Sequence, residues 1–242
     1  MKHHEKAAAA GSARGSRLFE DIQQGDTKGK ILGAAFRKLA SSGYANLSVR
    51  EIAKDAGVNH ALINYHFHTK DQLVLAVLDA ANQRLLERQR RMYDAPAGFA
   101  EKWAQARRFY EQDLASGFVR VQAELLAASF SNPGLREKFL PHVEAWKNVV
   151  RGGVRDALDT LEASGEKLPP PFTAEAIATW VSDFWLGMEF ENLLGAEPER
   201  GAHRAALDAM EHLLKYVDRL AQKRARAARP ARRRASQGRR DA

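Results

Sequence analysis

The twenty residues from Ser48 to Phe67, SVREIAKDAGVNHALINYHF, leave this chain few choices of fold. Their spacing is that of two short helices crossing over a tight turn. Ser48 and Glu51 make the pattern of a capping box, in which a hydroxyl and a carboxylate satisfy a helix's first free amides reciprocally. Helices in close crossing need a small side chain at the contact, and Ala53 supplies it. The turn needs a residue tolerant of positive φ, and Gly57 supplies it four positions later. Asn59 then caps a second helix, and Val58, Ile63 and Phe67 pin that helix against Ile52. The side left over carries Asn59, His60, Asn64, Tyr65 and His66. A solvated surface helix more often shows Lys and Glu. Amides, a phenol and imidazoles are the groups that meet base edges and phosphates in a DNA groove.

The flanking sequence is helical too. Ile31, Leu32, Ala35, Phe36 and Leu39 recur at helical spacing after a start near Asp26 or Thr27, and Gly43 supplies a stop. Thr69 to Gln72 repeats the capping-box pattern and opens a helix with Leu73, Val77 and Ala80 on one face. It continues through the charged run Arg84 to Arg91 and breaks near Asp94-Ala95-Pro96. Beyond it the spacing predicts helices at about 98–115, 118–131, 134–163, 173–194 and 202–222, parted by Gly and Pro breakers. No convincing strand and no internal repeat is present, so the fold class is all-α. The expected organisation is an arm of mixed basic and acidic residues over 1–25, expected to be disordered, a helix-turn-helix domain over 26–72 with its motif at 48–67, a larger helical domain over 73–222, and a basic tail over 223–242. The run Lys223 to Arg226 allows the last helix to continue toward Pro230, and the rest of the tail is expected to be disordered.

The net charge of +8 is a matter of place. The segment 221–242 holds nine Lys/Arg against one acid and accounts for all of it. Residues 27–72 carry a surplus of four positive charges, and 73–220 a deficit of four. A basic head on a slightly acidic body suits a head that meets phosphates. The tail either adds non-specific phosphate contacts or is simply solvated.

The stretch from Ile31 to Leu73 resembles the DNA-binding domain of the TetR/AcrR family of bacterial repressors. The matching residues are Ile31-Leu32, Ala34-Ala35, Gly43-Tyr44, Ser48-Val49-Arg50-Glu51-Ile52-Ala53, Ala56-Gly57-Val58 and Tyr65-His66-Phe67 with Lys70; the Asn-Tyr-His-Phe string at 64–67 marks one large subset of the family. The resemblance implies that the helical C-terminal domain binds a small-molecule effector and dimerises, and that the effector releases double-stranded DNA at a palindromic operator. It implies a base- or phosphate-contacting Arg50, backbone amides at Ser48 and Val49 offered to phosphate, base readers at Asn59, His60 and Asn64, phosphate contacts from Tyr65 and His66, and a backbone clamp at Lys70. His66 as a cap on the core, and Arg50 as a plain surface charge, are the blander alternatives.

In the body, Ile177, Val181, Phe184 and Met188 form one stripe, with Trp180, Trp185 and Phe190 off it. A helix apolar nearly all round must be covered on two sides. Met210, Leu213 and Val217 lie on one face of the last helix. In the family these two helices pair with their copies across a two-fold axis, which places Ile177, Val181, Phe184, Met188, Met210, Leu213 and Val217 at a homodimer interface; ordinary intrachain core is the alternative. Trp103, Tyr110, Phe130, Trp146 and Phe184, with Arg107, are candidates to line an effector pocket, though such aromatics also build plain cores.

No apolar run approaches the roughly 20 residues a membrane span needs, and no cysteine is present, which fits a reducing cytoplasm. His60, His66 and His68 do not converge at helical spacing, so no metal or cofactor is expected. Neither a nucleophile elbow nor a phosphate-cradling glycine loop appears, so no catalytic residue is named and an enzyme is not expected. The competing reading is an effector-independent DNA-binding protein that uses its basic tail as a second DNA anchor.

Overall fold

Asp26 starts the first helix by turning back on it: its Oδ1 accepts from the Gly29 amide at 3.0 Å. The computed structural model describes residues 26–195 and 200–227. The arm expected at 1–25 and the tail beyond Ala227 lie outside the described residues. Nine helices and no strand make up the described residues: α1 Thr27–Ser42, α2 Val49–Ala56, α3 His60–Phe67, α4 Lys70–Asp94, α5 Phe99–Ser116, α6 Phe118–Ser131, α7 Pro133–Ala163, α8 Ala174–Leu193 and α9 Arg200–Ala227. The predicted boundaries agree closely. The last helix runs five residues past Gln222, the continuation that the run Lys223 to Arg226 allowed.

Side-chain caps set the starts. Ser48 Oγ accepts from Glu51 N, Thr69 Oγ1 from Gln72 N, Asn132 Oδ1 from Leu135 N, and Thr173 Oγ1 from Ala176 N. The Ser48 box is only half made. Glu51 does not reach back to its cap, because its carboxylate is taken by Lys38 of α1 at 3.1 Å. That ion pair and Arg37–Asp55, at 2.7 Å, instead tie α2 to α1.

The expected boundary near residue 72 is not a break in the core. Ile31, Leu39, Ile52, Ile63 and Phe67 of the head share one buried cluster with Leu73, Leu78 and Leu85 of α4, Phe118, Val121 and Leu125 of α6, and Phe139 of α7. The head therefore stands directly on α4 and α6. A second, smaller cluster of Trp103, Trp185, Met188 and Leu207 joins α5, α8 and α9. Between the two lies a cavity.

Candidate functional site

α3 is held by Ile63 and Phe67, which are buried, and crosses α2 over Gly57, whose φ of 67° is the left-handed conformation the turn demands. Its outward face carries His60, Asn64 and Tyr65, all exposed, with Tyr65 74% exposed. A phenol standing that far into water, its ring centroid 5.2 Å from that of His66, forgoes burial worth about 2 kcal/mol. Arg50 is exposed on α2 beside this face, and Ser48 and Val49 are half-buried at the α2 N-terminus. The α2 start and α3 thus present one surface. Asn59 sits at its edge with Oδ1 committed to the Ala61 amide at 2.9 Å, leaving its amide nitrogen to reach outward. His66 is half-buried against Phe67.

Lys70 is the member of the predicted set with other work to do. Its Nζ donates to the Tyr44 carbonyl at 2.7 Å and lies 4.4 Å from the centroid of the Tyr44 ring. The Tyr44 hydroxyl donates to Asp71 at 2.5 Å, Asn132 donates to the other Asp71 oxygen at 3.0 Å, and Glu124 accepts from the Tyr44 amide at 2.9 Å. Burial, with the adjacent Asp71 carboxylate, pushes the Tyr44 phenol up to about 12. The turn after α1 is thereby clamped to the start of α4 and to α6.

The body holds a partly open cavity of about 390 Å³ bounded by α4 to α9. Trp103, Tyr110 and Trp146 line it. Three other predicted residues do not. Phe130 is 72% exposed near the end of α6. Arg107 is turned to α9, where its Nη1 meets Asp208 at 2.8 Å and Glu211 at 3.0 Å. Phe184 packs on Trp185 and the His203 ring. Residues assigned to an interface between copies take their places instead: Ile177, Val181, Met210, Leu213 and Val217 all line the cavity, and Met188 and Val217 are buried within the chain. The reason is physical. Periodicity finds the apolar stripe of a helix but not its partner, and the stripe of α8 is covered by its own chain. The large apolar side chains exposed on α8, the turn after it and α9 include Trp180, Phe190, Leu193, Leu194, Leu213 and Tyr216.

Three polar side chains of the body escaped the sequence reading. Arg88 of α4 and Asp113 of α5 form a buried ion pair, with Arg88 also 4.5 Å from the Phe109 ring centroid. Burial raises Asp113 above the usual carboxylate range even though Arg88 pulls it down. Glu189 of α8 lines the cavity, and burial together with the Asp113 charge pushes it to about 8. Its only sequence signal is an acid one helical turn beyond Trp185 in an apolar helix.

A carboxyl whose folded value lies above its unfolded value binds its proton more tightly when folded. Stability is then highest at low pH and is lost as pH rises toward the folded value. For Glu189 the window runs from about 4.5 to about 8. Urea unfolding is expected to show stability falling across that window, and Glu189→Gln to flatten the fall. Stability that climbs from pH 5 to 8 in the wild type, with no change in Glu189→Gln, contradicts this.

Residues 31–77 match the family described as bacterial regulatory proteins, tetR family. The N-terminal domain of this chain is similar to that of the tetR family. Among its relatives are the HTH-type transcriptional regulator CymR of Pseudomonas putida, 28% identical over 129 residues, which are 52% of this chain and 62% of CymR. An HTH-type transcriptional repressor of Mycobacterium tuberculosis is 51% identical over 55 residues, 23% of this chain and 29% of the repressor. Both matches span less than two thirds of the relative's own length. The fold likeness to family structures extends through the body. The regulator FadR from Bacillus subtilis, in complex with stearoyl-CoA, has a TM-score of 0.61 at 21% identity, covering 76% of this chain and 96% of that one. A protein from Saccharomonospora viridis described as a transcriptional regulator, in complex with choline, has a TM-score of 0.61 at 24% identity, covering 79% and 95%. The proteins that this chain resembles are regulators of transcription. No helix among the described residues is long and apolar enough to cross a membrane.

Proposed function

We propose that this chain is a homodimeric, sequence-specific DNA-binding repressor whose grip on a palindromic operator is released when a small molecule fills the body cavity. The observation that carries the reading is the exposed face of α3: hydrogen-bonding side chains on a short helix rooted by Ile63 and Phe67 in the same core as α4 and α6. Such a helix fits a major groove. Two copies, one DNA turn apart, read a palindrome that one short helix cannot specify. The outward Trp180, Leu194, Leu213 and Tyr216 are among the apolar side chains available to a second copy. The cavity touches α4 and α6, the two helices on which the head stands, so a ligand there acts on elements that hold α3. The aromatic-lined cavity favours this over an effector-independent protein with a filled body.

The assignment divides labour on α3. Tyr65→Ala is expected to weaken operator and random DNA alike, by roughly tenfold, because phosphate contacts carry no sequence information. Asn64→Ala is expected to relax sequence preference, costing about 1–3 kcal/mol on the operator alone. Both are read by competition binding against random duplex at fixed salt. Footprinting on the DNA upstream of the gene is expected to protect a palindrome. Equal loss of specificity from both variants, or protection of a single asymmetric half-site, contradicts the reading.

A further inference from the structure

We propose that the body cavity receives a lipophilic organic cation: a mostly apolar molecule whose single positive head seats at the Glu189 carboxylate beside the rings of Tyr110 and Trp185. The inference rests on the reading of this cavity as the effector site. Four acidic or basic side chains line the cavity, and three have partners. Lys102 donates to the Tyr93 carbonyl, Asp113 pairs with Arg88, and His142 joins Asn82 at 2.7 Å and Asp79 at 2.9 Å. Glu189 makes no hydrogen bond or ion pair among the described residues. A carboxylate sunk in an apolar site either finds a partner or holds its proton, and no partner comes from the described residues.

The surroundings select the partner's sign. Asp113 adds negative charge near Glu189, while Arg88 is spent on Asp113 and does not line the cavity. An anionic head would meet two carboxylates. The rings beside Glu189 are aromatic faces of the kind that attract cations. Trp185 lies one turn before Glu189 on α8, its ring 5.4 Å from that of Tyr110 and 5.3 Å from that of Trp103, and the Tyr110 hydroxyl donates to the Met188 carbonyl at 3.3 Å, which holds it at this end. The remaining lining is largely aliphatic and aromatic, and about 390 Å³ accommodates a head with a medium-length chain.

Binding is also linked to protons. In the empty cavity Glu189 titrates at about 8, so a permanent cation expels a proton when it binds at neutral pH. Affinity then climbs about tenfold per pH unit below that value and flattens above it. Asp113, whose charge acts on Glu189, and Lys102 from α5 line the same cavity, as do Asn82, Gln89 and Tyr93 from α4, Gln122 from α6 and His142 from α7, with Arg88 paired to Asp113; α9 adds only apolar side chains.

The test is calorimetric titration of the full chain with decyltrimethylammonium, decanol and decanoate, each below its micelle concentration, between about pH 6 and 8. The cation is expected to bind at least about tenfold more tightly than either other probe at pH 8, with its affinity falling toward pH 6 as above. Glu189→Gln is expected to remove both the preference and the pH slope; a slope that persists in Glu189→Gln belongs to another group and overturns the assignment. Decanol or decanoate binding as tightly as the cation, or a cation affinity indifferent to pH in the wild type, also overturns it. Operator release is scored separately by gel shift. A cation that binds as expected but leaves the operator occupied sinks the effector reading and keeps the ligand class. Release by decanoate without binding of the cation does the reverse.

Discussion

Gly117→Ala is expected to lower the free energy of unfolding by about 2–4 kcal/mol, while the same change at Gly57 costs about 1 kcal/mol. Both glycines have left-handed φ, 81° at Gly117 and 67° at Gly57, so both variants carry the same backbone strain. They differ in what a methyl group meets. Around Gly57 a Cβ finds nothing within 4 Å. At Gly117 it lands 2.8 Å from the Cβ of Ala40, closer than real carbons approach. Gly117 ends α5, with its amide bonded back to Asp113 and Leu114, and leads straight into α6. Ala40 is on α1. The overlap therefore pushes the α5–α6 corner off the head, against a core too dense to yield without cost. Urea midpoints measure both variants. Equal losses would mean that the corner and α1 are not in contact as described.

Arg88→Met is expected to cost about 3–5 kcal/mol, because it leaves Asp113 buried without a counter-charge. The side chains of this pair are only 12% and 8% exposed. The pair is itself imperfect: Nε and Nη1 of Arg88 and Oδ1 of Asp113 are buried with no partner. Pairs like this are weak sources of net stability, yet dangerous to halve. The double variant Arg88→Met with Asp113→Leu is thus expected to recover most of the loss. Denaturant unfolding of the two single variants and the double variant closes the cycle. A single variant as mild as the double one would mean that Asp113 already holds its proton and pairs with nothing. Its charge also helps hold Glu189 up, so the double variant should titrate Glu189 closer to the ordinary carboxylate range.

Much of the head was legible in its residues because its determinants are local. Ser48, Thr69, Asn59 and Gly57 cap helices within a few residues of themselves, and Ala53 with Ile63 and Phe67 makes the crossing inside one 20-residue stretch. The exposed polar face of α3 follows from the same periodicity. Glu51 was misread because a capping box and an ion pair to Lys38 compete for one carboxylate, and the second partner comes from another helix.

The body divided differently. Its helices and their breakers were visible in the sequence, since Gly, Pro and capping residues act on the chain next to them. Which helix covers which stripe was not. Ile177, Val181 and Met188 have the pattern that an interface between copies would need, and they turn inward because α8 packs along α7 of its own chain. Phe130 is as aromatic as Trp103, yet one is exposed and the other buried. The two carboxylates of the cavity lie on α5 and α8, and nothing in either helix alone says that they meet. Short-range caps and periodicity determined that this chain has a helix-turn-helix with an exposed polar face on a helical body. Only tertiary packing, which sets distances between residues far apart in sequence, decided that α3 stands on the walls of a cavity and that Glu189 faces into it unpaired.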